Sequence, residues 1–154
     1  MLGAVAHIGI TVRDMDKAVE FYRDTLGLKV IGDVIIQGDE ASTVTQVPNT
    51  KLRAVYLRYE GDPKGPPIEL LHFIEPKGDN GKPYPGLANP GITEVAFWVK
   101  DIEKTYQELQ AKGVDFYSAP QLFDLDGEGY GKVKAVYFRD LDGTTLELLQ
   151  NVAD

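Results

Sequence analysis

The sequence predicts an α+β fold built from two tandem modules, each a strand and a helix followed by several further strands. Three observations predict it. The chain resembles itself: aligning His7 with Glu94 lays HIGITVRDMDKAVEFY over EVAFWVKDIEKTYQEL, with Val12/Val99, Asp14/Asp101 and Lys17/Lys104 identical. Further on, Ala54-Val-Tyr-Leu-Arg58 matches Ala135-Val-Tyr-Phe-Arg139, and Ile68-Glu-Leu-Leu71 matches Leu146-Glu-Leu-Leu149. Three matches in one order, at offsets that shrink along the chain, indicate a duplication whose second copy has shorter connections. Next, each copy switches from a two-residue hydrophobic period to a helical one and back. Finally, the stretch 76–91 between the copies is dense in Pro, Gly and Asn and reads as a linker. It separates module one, 4–75, from module two, 92–152, within a single domain 1–154.

Residues 5–12 alternate, with Ile8, Ile10 and Val12 on one side and His7, Gly9 and Thr11 on the other. Asp14 or Asp16 can cap the helix that follows, 16–26, whose apolar stripe is Ala18, Val19, Phe21, Tyr22 and Leu26. Gly27 is its stop. Strands are expected near 29–36, 43–47, 53–59 and 68–74. In the second copy the strand is 92–99 and the helix 102–112, ended by Gly113, with strands near 115–118, 133–139 and 145–150. Residues 124–132 read as one mobile loop placed to act as a lid. One helix on a small sheet leaves the other sheet face wet, whereas two modules side by side form a larger, mostly antiparallel curved sheet with helices outside and a concave inner face.

Composition narrows the function. The 154 residues are 43% hydrophobic and 26% charged, an ordinary globular mixture. A net charge of −8 with no basic patch argues against nucleic acid. The chain has no cysteine, which removes disulfides, thiolate ligands and a Cys nucleophile, and its two histidines, His7 and His72, cannot make a three-His zinc site. No membrane-span-length apolar run and no basic signal-peptide region are visible, so a cytoplasmic protein is expected.

Strand parity selects the candidate site. If Ile8, Ile10 and Val12 pack under the helix, His7 points the other way. The same step buries Val95, Phe97 and Val99 and turns Glu94, with Ala96 and Trp98, inward. Ile68/Leu146 and Leu70/Leu148 are helix-side, which leaves Glu69 and Glu147 facing the hollow. A carboxylate on a covered sheet face is costly unless it is paired or bound to a cation. One imidazole and three carboxylates at matching positions therefore suit a divalent metal. A lone histidine is usually structural, and His72, of opposite parity to Glu69, is read so. Tyr56, Trp98, Tyr130 and Tyr137 are candidates for a substrate pocket. Asp124-Leu-Asp-Gly-Glu-Gly129 is not a calcium loop, because Ala135 stands where the closing Glu is needed, and Gly127-Glu-Gly-Tyr-Gly-Lys132 lacks P-loop spacing.

The opening HIGITVRDMDKAVEFYRDTLGL resembles that of the vicinal-oxygen-chelate superfamily, which holds glyoxalase I, methylmalonyl-CoA epimerase, extradiol dioxygenases and bleomycin-resistance proteins. Phe138-Arg-Asp-Leu-Asp-Gly-Thr-Thr-Leu-Glu147 resembles the family's closing F-x-D-P-D-G-x-x-x-E, with Leu141 for the usual Pro. The resemblance implies paired βαβββ modules around one divalent ion (Mg²⁺, Mn²⁺, Fe²⁺, Co²⁺, Ni²⁺ or Zn²⁺) held by His7, Glu69, Glu94 and Glu147, and a homodimer, in which modules can pair within or between chains. Many relatives carry His where this chain has Glu94, so Glu94 is either a fourth ligand or, off the metal, the base. The expected activity is proton transfer beside a carbonyl of a small substrate chelated through neighbouring oxygens, a lyase or isomerase reaction, with Glu94 or Glu147 as base. The alternatives are an extradiol-type dioxygenase, which wants two histidines and one carboxylate on iron, and a metal-free ligand-binding protein of the bleomycin-resistance kind.

Overall fold

The structure, a computed structural model, describes residues 1–78, 81–83, 86–129 and 131–152. It divides into two compact units, Met1–Gly81 and Lys82–Asp154. The first runs β1 (Ile8–Thr11), α1 (Met15–Glu20), β2 (Lys29–Gln37), α2 (Asp39–Thr45), β3 (Lys51–Arg58) and β4 (Ile68–Glu75). Its sheet has the order β1-β4-β3-β2, with β1 parallel to β4 and the other pairs antiparallel. The second runs β5 (Val95–Trp98), α3 (Ile102–Ala111), β6 (Asp115–Phe116), β7 (Gln121–Leu125), β8 (Gly131–Arg139) and β9 (Thr145–Val152). Here the order is β5-β9-β8-β6, with β7 also on β8 and β5 parallel to β9. The α+β class is what forms, and hydrogen bonding gives one mostly antiparallel sheet per unit. Among the described residues no helix is long and apolar enough to cross a membrane.

The two helices start alike. Asp14 Oδ1 accepts from the Lys17 amide at 3.1 Å and Asp101 Oδ1 from the Lys104 amide at 3.0 Å, so Asp14, not Asp16, is the cap. They also end alike, at glycines with φ of 82° for Gly27 and 84° for Gly113, a left-handed conformation that costs other residues energy. Between cap and stop they differ. Asp14 and Gly27 lie one residue further apart than Asp101 and Gly113, and α1 continues as a single wide turn, Phe21–Thr25, in which the Leu26 amide reaches back to the Phe21 carbonyl at 2.9 Å.

Under the helices lie the predicted apolar faces. Ile10, Val12, Ala18, Tyr22, Val55, Leu57, Ile68 and Leu70 are buried in unit one, and Ile102, Leu109, Val136, Phe138, Leu146 and Leu148 in unit two. The helices α1 and α3 pack on β4 and β9, the strands that carry Glu69 and Glu147.

Two expectations are corrected. Residues near 43–47 are not a strand: Asp39–Thr45 is the short helix α2, with acidic Asp39 and Glu40 in its first turn and Ser42 and Thr45 hydroxyls donating back to the Gly38 and Ala41 carbonyls. Residues 124–129 and 131–132 are not a free loop either, Tyr130 lying outside the described residues. They form the end of a β7–β8 hairpin, paired from Gln121↔Ala135 to Leu125↔Gly131 and turned by Asp126–Glu128. Together β6 and β7 do for β8 what the unbroken β2 does for β3, the interruption falling at Pro120, which has no amide for a ladder.

One surface pairing ties three elements of unit one. Arg53 on β3 donates to both Asp33 oxygens on β2, at 2.9 and 2.8 Å, and to Asp16 on α1 at 2.9 Å. The Arg53 hydrogen bonds hold the Asp33 carboxyl below its usual value. A lowered folded value means stability that is present above the ordinary carboxylate range and lost as pH falls through it. Arg53→Ala should therefore cost about 0.5–1 kcal/mol at pH 7, the pair being solvent-screened. In urea melts its gap to the parent should close below about pH 4.

Candidate functional site

In unit one the site is built on β4. Glu69 stands directly opposite Tyr56 on β3 and Gly9 on β1, on the face away from Ile68 and Leu70. Glu69 is 7% exposed, and both carboxylate oxygens have neighbours. The Tyr56 hydroxyl donates to Oε1 at 2.6 Å, and His7 Nε2, from the residue just before β1, lies 3.0 Å from Oε2. The His7 ring stands edge-on to Tyr56, centroids 6.1 Å apart. The hydrogen bond to Glu69, aided by burial and by the carboxylate's charge, pushes the Tyr56 phenol up to about 12, so it stays a donor throughout the ordinary pH range. Behind Tyr56, Gly32 faces it across β2–β3, and a Cβ there would come within 3.3 Å of the ring.

Unit two repeats the plan with one change. Glu147 on β9 stands opposite Tyr137 on β8 and Ala96 on β5, and Glu94 occupies the position before β5 that His7 occupies before β1. Carboxylate therefore faces carboxylate where unit one has imidazole. Burial first, and then the Glu94 charge, raise the proton affinity of Glu147, which is 8% exposed, while a hydrogen bond from Tyr137 opposes them. Burial, the charges of Glu147 and Glu94 and that hydrogen bond likewise raise the Tyr137 phenol. The Thr93 hydroxyl donates to Glu94 Oε2.

The four residues that parity selected thus fall into two pairs, His7 with Glu69 and Glu94 with Glu147. Within either unit alone, among the described residues, no group of three or more His, Asp or Glu could hold a metal. The donors, one imidazole nitrogen and carboxylate oxygens, suit a hard or borderline divalent ion. The Glu94–Glu147 repulsion is of the kind a cation relieves.

The remaining candidates separate by contact. The Tyr56 hydroxyl is spent on Glu69, and Tyr137 stands opposite Glu147 in the β8–β9 ladder. Trp98 is 64% exposed and shares a face with Ala96 and Glu147, and Tyr130 lies outside the described residues. His72 is structural: its Nδ1–H donates to the Val12 carbonyl at 3.2 Å, while its counterpart Gln150 accepts from the Ile102 amide at 2.7 Å. The closing motif resolves into parts, with Phe138 in the core, Asp140 Oδ1 accepting from the Asp142 and Thr144 amides at 2.9 Å each, and Gly143 at φ 91° turning the chain into β9 and Glu147. Thr93 and Gly32 are not among the residues that parity selects. The one sits beside Glu94, and the other is betrayed only by cross-strand register with Tyr56.

Comparison with known proteins agrees with this plan. The family model of the Glyoxalase/Bleomycin resistance protein/Dioxygenase superfamily matches residues 4–148. The chain is 31% identical to an ethylmalonyl-CoA/methylmalonyl-CoA epimerase of Cereibacter sphaeroides, over 97% of this chain and 99% of that protein. It is 28% identical to a 2-epi-5-epi-valiolone epimerase of an Actinomyces species, over 95% and 78%. Among solved structures, a glyoxalase family protein from Bacillus cereus superposes with a TM-score of 0.85 at 20% identity, covering 99% of this chain and 97% of that one. With the duplicated strand–helix–strand plan and the matched Glu69 and Glu147, these findings show that the chain belongs to the Glyoxalase/Bleomycin resistance protein/Dioxygenase superfamily.

Proposed function

We propose that this chain is a metal-dependent enzyme that moves a proton at the carbon beside a carbonyl of a small substrate, in the manner of an epimerase. The observation that carries this reading is the carboxylate pair of unit two, the buried Glu147 on β9 and Glu94 just before β5, which offers one group to take a proton and one to return it. A positioned carboxylate takes a proton from carbon and returns it as a general base and acid. The two epimerases among the relatives support the same choice.

In this reading His7, Glu69, Glu94 and Glu147 hold one divalent ion drawn from Mg²⁺, Mn²⁺, Fe²⁺, Co²⁺, Ni²⁺ and Zn²⁺. When bound, such an ion supplies Lewis-acid polarisation of the substrate's oxygens, which acidifies the adjacent C–H. Glu147, its carboxylate detached from the ion, accepts that proton, and the electron pair of the broken C–H bond becomes the C=C bond of an enolate while the carbonyl oxygen takes the negative charge. Glu94, the second carboxylate of the pair, then delivers to the opposite side of the carbon a proton it has taken from solvent, while Glu147 releases its own to solvent, so that the centre is inverted and the carbonyl regenerated. His7 and Glu69, whose Nε2 and Oε2 lie 3.0 Å apart and whose Oε1 is occupied by the Tyr56 hydroxyl, take no proton from substrate and serve binding and orientation.

The test is solvent-deuterium exchange into 2-oxo and 2-hydroxy compounds and 2-substituted malonyl thioesters. It is followed by NMR on chelator-treated protein with and without added Mn²⁺, Co²⁺, Ni²⁺ or Zn²⁺, beside elemental analysis. Exchange confined to the carbon beside the carbonyl, lost with chelator and restored by an ion, is expected. Failure to retain any of these ions, or exchange indifferent to the chelator, would overturn the reading.

A further inference from the structure

We propose that Tyr56 is a positioning residue of this centre: its hydroxyl occupies Oε1 of Glu69 and so fixes Oε2, the oxygen beside His7 Nε2, as the one presented to a cation. This rests on the reading of His7 and Glu69 as donors to the ion. The geometry behind it is local to unit one. A carboxylate is symmetric and free to rotate, so a site built from one needs something to choose the oxygen. Tyr56 makes that choice with a 2.6 Å hydrogen bond to Oε1, in the short range of bonds to a charged acceptor. The chosen oxygen, Oε2, lies 3.0 Å from the imidazole nitrogen, so the two donor atoms are already adjacent.

The phenol is itself held. Tyr56 and Glu69 are direct cross-strand partners, which fixes the separation of their Cβ atoms by backbone hydrogen bonds alone. On its other flank the ring lies against the bare backbone of Gly32, where a side chain would crowd it. The register recurs in unit two, where Tyr137 and Glu147 are direct cross-strand partners. Hydrogen-bond partners like Tyr56 orient ligands in metal sites generally, and losing one weakens metal binding about 10–100-fold.

Tyr56→Phe keeps the ring and removes only the hydroxyl. With Co²⁺ and Mn²⁺ as probes of the full chain, calorimetry should show affinity falling by about 10–100-fold. The visible Co²⁺ spectrum should change, and the metal-free variant should melt within a few degrees of the parent. Equal affinity and an unchanged Co²⁺ spectrum would overturn the proposal and leave the proposed function standing, whereas a parent chain that binds neither ion overturns both. If Tyr56→Phe does not fold, the near-ultraviolet tyrosine difference spectrum of the Tyr137→Phe chain on adding Zn²⁺ decides. A tyrosine perturbation that saturates with the ion supports the proposal, and Zn²⁺ binding without one overturns it.

Discussion

Glu147→Gln should lose about two to four orders of magnitude of carbon–hydrogen exchange, the contribution usual for a positioned acid–base group. The same substitution should make the metal-free protein more stable at neutral pH. The Glu147 carboxyl binds its proton more tightly folded than unfolded, because it is buried and faces Glu94. Folding therefore takes up protons over that interval, and stability declines as pH rises from the ordinary carboxylate range through the raised value. Glutamine has no charge to bury, so the variant's urea midpoint should match the parent in acid and exceed it above that range. Glu94→Gln should act in the same direction by removing the facing charge. Full exchange activity in the Glu147→Gln chain would take the base away from this residue. A lower midpoint at every pH would mean the carboxylate is not strained.

Leu70→Ala and Leu148→Ala should each cost about 2–5 kcal/mol in urea denaturation, the range for emptying a leucine site in a packed core. Both side chains are buried at equivalent points of the two copies, Leu70 between Ile10 and Val55 and Leu148 between Phe97 and Val136 in strand register. They flank Glu69 and Glu147, so part of the loss should appear as faster amide exchange along β4 and β9 themselves. A cost below about 1 kcal/mol would say that the helix-side face is not the close-packed one.

Much of this architecture is legible in the chain itself, for one physical reason: alternation along a strand is rigid. Once Ile10 and Leu70 are assigned to the helix side, His7 and Glu69 have nowhere to go but the other face, and the structure places them 3.0 Å apart. The same logic sets Glu94 and Glu147 on one face of unit two. Where alternation is imitated by something else, the reading fails. In Ser42-Thr-Val-Thr45 the β-branched residues look like a strand, yet the hydroxyls of Ser42 and Thr45 close back on the preceding turn and only Ala41 is buried. In 124–132 the glycines and acidic residues look like an open loop, yet Asp124 and Gly131 sit in the β7–β8 ladder and only Asp126–Glu128 make the turn. The part played by Tyr56 and Tyr137 is also hidden in the sequence. Aromatic residues on strands suit a pocket wall as well as a carboxylate clamp, and only the cross-strand register distinguishes the two.

The wide turn Phe21–Thr25 carries a lesson about how such a duplicated chain tolerates drift. Gaining one amino acid in β4 or β9 would reverse every side chain beyond it and send the acidic donor to the oily side. Gaining one in the helix merely loosens a coil, with cap and stop left in place. The helices thus serve as expansion joints, free to lengthen while the strands that bear the chemistry keep count.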